Sequence, residues 1–187
     1  MHYNAFSIEI DSNMQYISSH SQVYARERRV PQQISILVGS MTGTADLAAE
    51  EIKGVLAATG AQVEILQMDR LDASVFARPG RFIICTSTYG QGDVPDNARA
   101  FFDGLQRERP GLGQVRYGVF GLGDSTYFDT FNNGGKQFDE LLTELGARRI
   151  GQRMEHNASG DVVAEDAAVA WAKEWAELAC PLAAAAE

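Results

Sequence analysis

Between residues 34 and 179 the apolar positions follow two rhythms that alternate down the chain. Residues 34–38 (Ile-Ser-Ile-Leu-Val) form a β-branched run closed by Gly39 and Ser40, which predicts a strand followed by a turn. Ala48, Ile52, Val55 and Leu56 then fall on one helical face, and Gly60 supplies a stop. Residues 63–66 predict a second strand, residues 69–79 read as irregular, and Pro79-Gly80 marks a turn. Residues 81–86 predict a third strand, apolar enough to be buried on both faces. Ala98, Phe101, Phe102 and Leu105 recur at i, i+3, i+4 and i+7, so a second helix follows and ends before Pro110-Gly111. Residues 115–120 predict a fourth strand. Phe138, Leu141, Leu142 and Leu145 predict a third helix that stops at Gly146. Residues 148–154 are a fifth, weaker strand, and Trp171, Trp175 and Leu178 mark the last helix.

Strands alternating with amphipathic helices imply an α/β fold with a parallel sheet covered on both faces. Five such units suit a doubly wound sheet of order 2-1-3-4-5, in which a ligand sits at the carboxyl ends of the strands where the order reverses. Three loops converge there, those after the first, third and fourth strands. Residues 1–30 differ from the rest: they are polar, rich in Ser, Gln and Asn, and without sustained period. They read as an N-terminal extension, either disordered or a loosely docked arm. Residues 31–182 form the domain, and residues 183–187 a frayed tail.

Charge sharpens this picture. The chain of 187 residues carries a net charge of -9. In residues 1–30, Glu9, Asp11 and Glu27 cancel Arg26, Arg28 and Arg29, so the excess lies entirely in the domain. Such a surface repels nucleic acid and anionic membrane and suits partners with basic faces, although solubility alone also accounts for it. No window of about 18 apolar residues is present and no signal peptide pattern opens the chain, so a cytoplasmic location is expected. Cys85 and Cys180 lack metal-ligand spacing, and Cys85 reads as a buried thiol. His2, His20 and His156 are scattered, which leaves no catalytic cluster, and His156 is expected on the surface.

The chemistry lies in the loops. Ser40, Met41, Thr42, Gly43, Thr44 and Ala45 join the first strand to its helix. Small and hydroxylic residues there let N–H groups and hydroxyls converge on an anion beside a helix N-terminus. No Gly-Lys-Ser/Thr follows, so a P-loop is excluded, and neutral donors suit a monophosphate. Plain N-capping is the alternative for these residues taken alone. Ser87, Thr88, Tyr89, Gly90, Gln91, Gly92 and Asp93 follow the third strand, and Pro95 suits the first turn of the next helix. Leu122, Gly123 and Asp124, then Tyr127, Phe131 and Asn132, belong to the loop after the fourth. Tyr89 and Tyr127 are either ordinary surface residues or two flat faces for a planar ligand.

Together these loops resemble the flavodoxin-like FMN-binding family, in the form shared by the FMN domain of diflavin reductases and the short MioC-type proteins. The resemblance covers residues 33–179 and includes the Gly160-Asp161 and Glu165-Asp166 pairs before Trp171. It implies that residues 40–45 hold the FMN phosphate and that Tyr89 and Tyr127 lie on the two ring faces. The backbone around Thr88, Gly90, Gly92, Leu122, Gly123 and Asp124 would meet the ring edge. The Gly90 carbonyl would turn toward flavin N5 as the ring takes up a proton. Asp124 departs from the Asn of many diflavin relatives, and a carboxylate near the ring would lower its potential.

The function expected from this resemblance is a flavodoxin-type carrier that shuttles electrons from a basic-faced NAD(P)H-dependent flavoprotein reductase to a redox enzyme. Asp93, Asp96 and Asp129 would steer that reductase. Two rivals stand beside it: an FMN-dependent NAD(P)H oxidoreductase acting on quinones or nitro compounds, and a regulatory module that keeps the fold. No Gly-x-Gly-x-x-Gly enters a helix, which counts against the first. Intact loop tyrosines count against the second. A severed domain of a larger reductase is disfavoured by the ending soon after Cys180, with neither linker nor further strands.

Overall fold

The computed structural model describes residues 32–179; the extension read over residues 1–30 and the tail over residues 183–187 lie outside them. The strands are β1 (Gln33–Gly39), β2 (Gln62–Gln67), β3 (Arg81–Ser87) and β4 (Arg116–Gly123), followed by the short β5 (Arg148–Arg149) and β6 (Met154–Asn157). The helices are α1 (Thr44–Ala58), α2 (Asp96–Glu108), α3 (Asn133–Glu144) and α4 (Ala164–Ala179). All pairings are parallel, in the order β2-β1-β3-β4-β5, with β6 also pairing with β4. This is the order the alternation implied. Leu37 pairs with Leu66 on one side and Ile84 on the other, so β1 sits at the point where the order reverses.

The period of two along each strand divides the core into two layers. Ile34, Ile36 and Val38, with Ile83, Cys85, Phe120 and Leu122, face α1 and α4. Leu37, Phe82, Ile84, Tyr117 and Val119 face α2 and α3. Trp171 and Trp175 of α4 stack at 5.9 Å, and Phe120 meets Trp171 edge-on at 5.6 Å. On the opposite face, Phe101 and Phe102 of α2 both contact Phe138 of α3. Burial of each such ring stabilises the fold by roughly 1.5–3 kcal/mol. No helix of the described residues is long and apolar enough to cross a membrane.

Two sequence readings change. Residues 69–79 are not featureless: two 3-10 turns, Met68–Arg70 and Ala73–Ala77, bury Met68, Val75 and Phe76, and Phe76 packs on Phe82 at 5.0 Å. Asp72 Oδ1 accepts the Ser74 N–H at 2.8 Å and starts the second turn. The fifth strand is not one segment over residues 148–154. The Ile150 N–H still bonds the Tyr117 carbonyl at 2.6 Å, and then the chain leaves the ladder at Gly151, whose φ is +70°. It returns at Met154 and continues to Asn157, opposite Phe120 to Gly123. Buried Asp139 of α3 anchors the detour, accepting from the guanidinium groups of Arg149 and Arg153 and from the Tyr117 hydroxyl at 2.8 Å. A buried carboxylate needs such partners.

Candidate cofactor site

The loop from β1 to α1 is built for an anion. Ser40 Oγ accepts the Gly43 N–H at 3.0 Å, and the Ser40 N–H donates to Asn97 Oδ1 at 2.9 Å. Gly43 enters α1 with φ +90°, a left-handed conformation that favours glycine. It is the N-cap, and α1 has no side-chain cap hydrogen bond. The Ser40 hydroxyl thus braces the N-cap backbone, while neither the Thr42 nor the Thr44 hydroxyl caps α1. The Thr42 and Thr44 hydroxyls lie 3.4 Å apart, and the first N–H groups of α1 have no intrahelical partner. These neutral donors and the positive end of the helix converge without any cation in the loop. Ala45 is buried, backbone included.

The loop after β3 is a tight turn. Tyr89 and Asp93 exchange backbone hydrogen bonds at 3.0 and 2.8 Å, which leaves Gly90 and Gln91 exposed at the tip. A β-carbon at Gly90 would meet nothing within 4 Å, so the tip borders open space. Buried Gly92 has its carbonyl held by Asn133 Nδ2 and Gln137 Nε2, both at 2.7 Å. The Thr88 N–H donates to the Leu122 carbonyl at 2.9 Å, and its hydroxyl accepts the Gly134 N–H at 3.1 Å. Ser87 Oγ donates to the Gly39 carbonyl at 3.4 Å. Asp93 pairs with Arg99 at 3.2 Å.

The loop after β4 is locked to the segment after β6. Asp124 Oδ1 accepts from the Thr126 N–H at 2.9 Å, the Thr126 hydroxyl at 2.7 Å and the Ser159 hydroxyl. The Ser159 hydroxyl and then Thr126 hold this carboxyl below the ordinary range. The expected side-chain influence of Asp124 on a ring thus meets a carboxylate already engaged within its own loops. Asn157 Oδ1 accepts from the N–H groups of Ser125 at 2.9 Å and Ser159 at 3.1 Å. Tyr127 is 67% exposed, Tyr89 49% and Phe128 89%, and none of the three rings packs on another aromatic ring among the described residues.

Of the residues expected at a cofactor, Leu122 and Asn132 are buried and Phe131 is half-buried. Asn132 is 0% exposed with φ +57°, and its Nδ2 donates to the His156 carbonyl at 2.9 Å. A β-carbon at Gly123 would lie 2.6 Å from the Asn132 backbone N, and at Gly121 it would overlap Asn132 Oδ1. Two glycines thus open the slot that Asn132 fills, and its side chain holds the loop from within. The residues missed in the sequence are the side chains that brace the loops: Gln67, Asn97, Asn133, Gln137, Asn157 and Ser159. Their signal was an excess of amides and hydroxyls beside turns, which marks bracing without naming partners.

His156 is a correction. It is buried in β6 rather than at the surface, and burial holds its imidazole below the ordinary value of 6.5 while Glu165 acts the other way. The unfolded chain therefore takes up the proton first as the pH falls. Stability is full above about pH 6.5 and declines as the pH falls through the lower folded value. Urea midpoints measured between about pH 7.5 and 5.5 should show this decline, and His156→Gln should flatten it. An unchanged slope in the variant would assign the decline to other groups.

The donor set fits FMN. It offers neutral hydroxyls and a helix N-terminus for a monophosphate, and exposed aromatic rings beside an open glycine tip for a planar ring. The comparisons agree. The profile of the family Flavodoxin matches residues 36–171. Flavodoxin YqcA of Escherichia coli (strain K12) is 37% identical over 146 residues, 78% of this chain and 97% of its own length. Protein MioC of the same organism is 32% identical over 148 residues, with the same coverage of both chains. The sulfite reductase [NADPH] flavoprotein alpha-component of Bacillus subtilis (strain 168) is 37% identical over 127 residues, 67% of this chain but 21% of that protein. Among solved structures, a cysteine-to-alanine mutant of flavodoxin from Pseudomonas aeruginosa superposes with a TM-score of 0.70 at 36% identity, covering 79% of this chain and 99% of the other. With its sheet order and these relatives in agreement, the chain belongs to the flavodoxin family, whose members carry electrons on bound FMN.

Proposed function

We propose that this protein is an electron carrier with one noncovalent FMN, reduced in the cytoplasm by an NAD(P)H-dependent flavoprotein reductase and oxidised by a redox enzyme. The observation that supports the reading is that a cation-free loop after β1 and the exposed Tyr89 and Tyr127 all follow the carboxyl ends of neighbouring parallel strands. Residues 40–45 would hold the phosphate, through the hydroxyls of Ser40, Thr42 and Thr44 and the N–H group of Thr44, with Gly43 braced by Ser40 and Ala45 buried at the start of α1. Tyr89 and Tyr127 would cover the ring, with Met41, itself 41% exposed, at the loop's outer side. Ser87, Thr88 and Gly92 would keep the first ring loop in place, and Gly123, Asp124, Phe131 and Asn132 the second. FMN supplies the one-electron chemistry, so no side chain need act as acid or nucleophile. The exposed Gly90–Gln91 peptide is unhindered and can present either its carbonyl or its N–H to the ring.

Charge points to the partner. Residues 40–46, 87–97, 121–132 and 157–166 contain no Lys or Arg, yet hold Asp46, Asp93, Asp96, Asp124, Asp129, Asp161, Glu165 and Asp166. A basic face on the reductase would be steered to this edge. The FMN-loaded protein should keep its colour with NADPH alone and lose it when a basic-faced flavoprotein reductase is added, more slowly as salt rises. Rapid bleaching by NADPH alone would overturn the carrier reading in favour of an autonomous oxidoreductase.

A further inference from the structure

The phosphate loop is held from outside by amide side chains of α2 and β2. Asn97, the second residue of α2, places Oδ1 2.9 Å from the Ser40 N, across 57 residues of chain. Because Ser40 presents an N–H, the amide oxygen must face it, and the Asn97 NH₂ is then directed to Gln67 Oε1 at 3.5 Å. Gln67, the last residue of β2, donates in turn from Nε2 to Asp46 Oδ1 at 2.6 Å. The two amides have one self-consistent orientation, donor to acceptor from α2 through β2 to α1.

This relay acts on the loop at two points. At Ser40, whose Oγ takes the Gly43 N–H, it fixes the direction of the first peptide of the turn. At Asp46 it restrains a carboxylate that lies in the first turn of α1, beside the anion site. That carboxylate suits the helix dipole but repels a phosphate. Held by Gln67 toward β2, it is kept from turning over the loop.

Resting on the FMN reading above, we propose that Asn97, through Gln67, is a positioning residue that makes the site selective for the phosphorylated flavin over riboflavin. The test is the quenching of flavin fluorescence on titration with the full chain, using FMN and riboflavin separately. In Asn97→Leu the Kd for FMN should rise about tenfold, the loss of one well-placed hydrogen bond, while that for riboflavin changes by less than about twofold. Gln67→Leu, which cuts the relay on the other side and leaves α2 intact, should weaken FMN by about threefold with the same indifference to riboflavin. A merely structural role would raise both constants together. Equal loss for both flavins, or none for either, in whichever variant folds would overturn the inference while the wild-type affinity for FMN keeps the carrier reading. A wild-type protein that binds neither flavin overturns the carrier reading and this inference with it.

Discussion

Replacing Tyr127 with alanine should weaken FMN binding by about 1–3 kcal/mol, roughly 5- to 150-fold in Kd, and leave folding stability within about 0.5 kcal/mol of the wild type. The separation of the two effects follows from the exposure of the ring. Tyr127 precedes the 3-10 turn Phe128–Thr130, and its ring packs on no other aromatic ring among the described residues. The fold therefore loses little when the ring goes. A stacked flavin loses a full aromatic face. The backbone of Tyr127 stays anchored, since its N–H donates to the Asp124 carbonyl at 3.1 Å whatever the side chain. Titration with FMN and urea unfolding of the same preparation separate the two quantities. An unchanged FMN affinity, or a loss matched by a loss of stability, would contradict the placement of Tyr127 on the ring.

At Asn132 stability and affinity should fall together. Asn132→Ala should cost about 2–4 kcal/mol of folding stability, combining an unsatisfied buried carbonyl at His156 with a left-handed conformation that alanine adopts poorly. Asn132→Gly relieves the conformation but not the lost hydrogen bond, so it should fall between wild type and alanine. The flavin affinity should weaken in both, because Asn132 joins the loop after β4 to β6 and the bond at His156 is lost in each. The check is urea unfolding of the apoproteins followed by FMN titration of the variants. Full stability with lost affinity would mean that the Asn132 side chain reaches the cofactor directly, contrary to its complete burial.

These two residues also mark how far the sequence could be read. Tyr127 was legible because an aromatic between turn residues has a chemical meaning that survives without coordinates. Asn132 was legible as part of a loop but not as a buried brace. Its slot exists only because Gly121 and Gly123 bring β4 within reach, and that is a property of packing. The same division holds for the whole fold. β1, β3 and β4 were readable as strands because their residues are buried on both faces, and α2 and α3 because their apolar faces repeat at helical spacing. The interrupted fifth strand was not. The chain leaves the ladder at Gly151, Arg149 before it and Arg153 beyond it both reach Asp139, and Met154 to Asn157 return through pairing with β4. Nothing local in Glu155, His156 and Asn157 favours a strand. The braces of the site were hidden for a related reason. Asn97 finds Ser40, Asn133 finds Gly92 and Ser159 finds Asp124 across 57, 41 and 35 residues, separations that no local pattern encodes.

The most direct test of the account is the visible spectrum of the purified protein titrated with FMN, followed by heating. One equivalent of FMN should bind with shifted flavin bands and quenched fluorescence, and heat should release it unchanged, as noncovalent attachment requires. A protein that remains colourless and leaves added FMN unperturbed would contradict the central claim, and the flavodoxin fold would here serve another purpose.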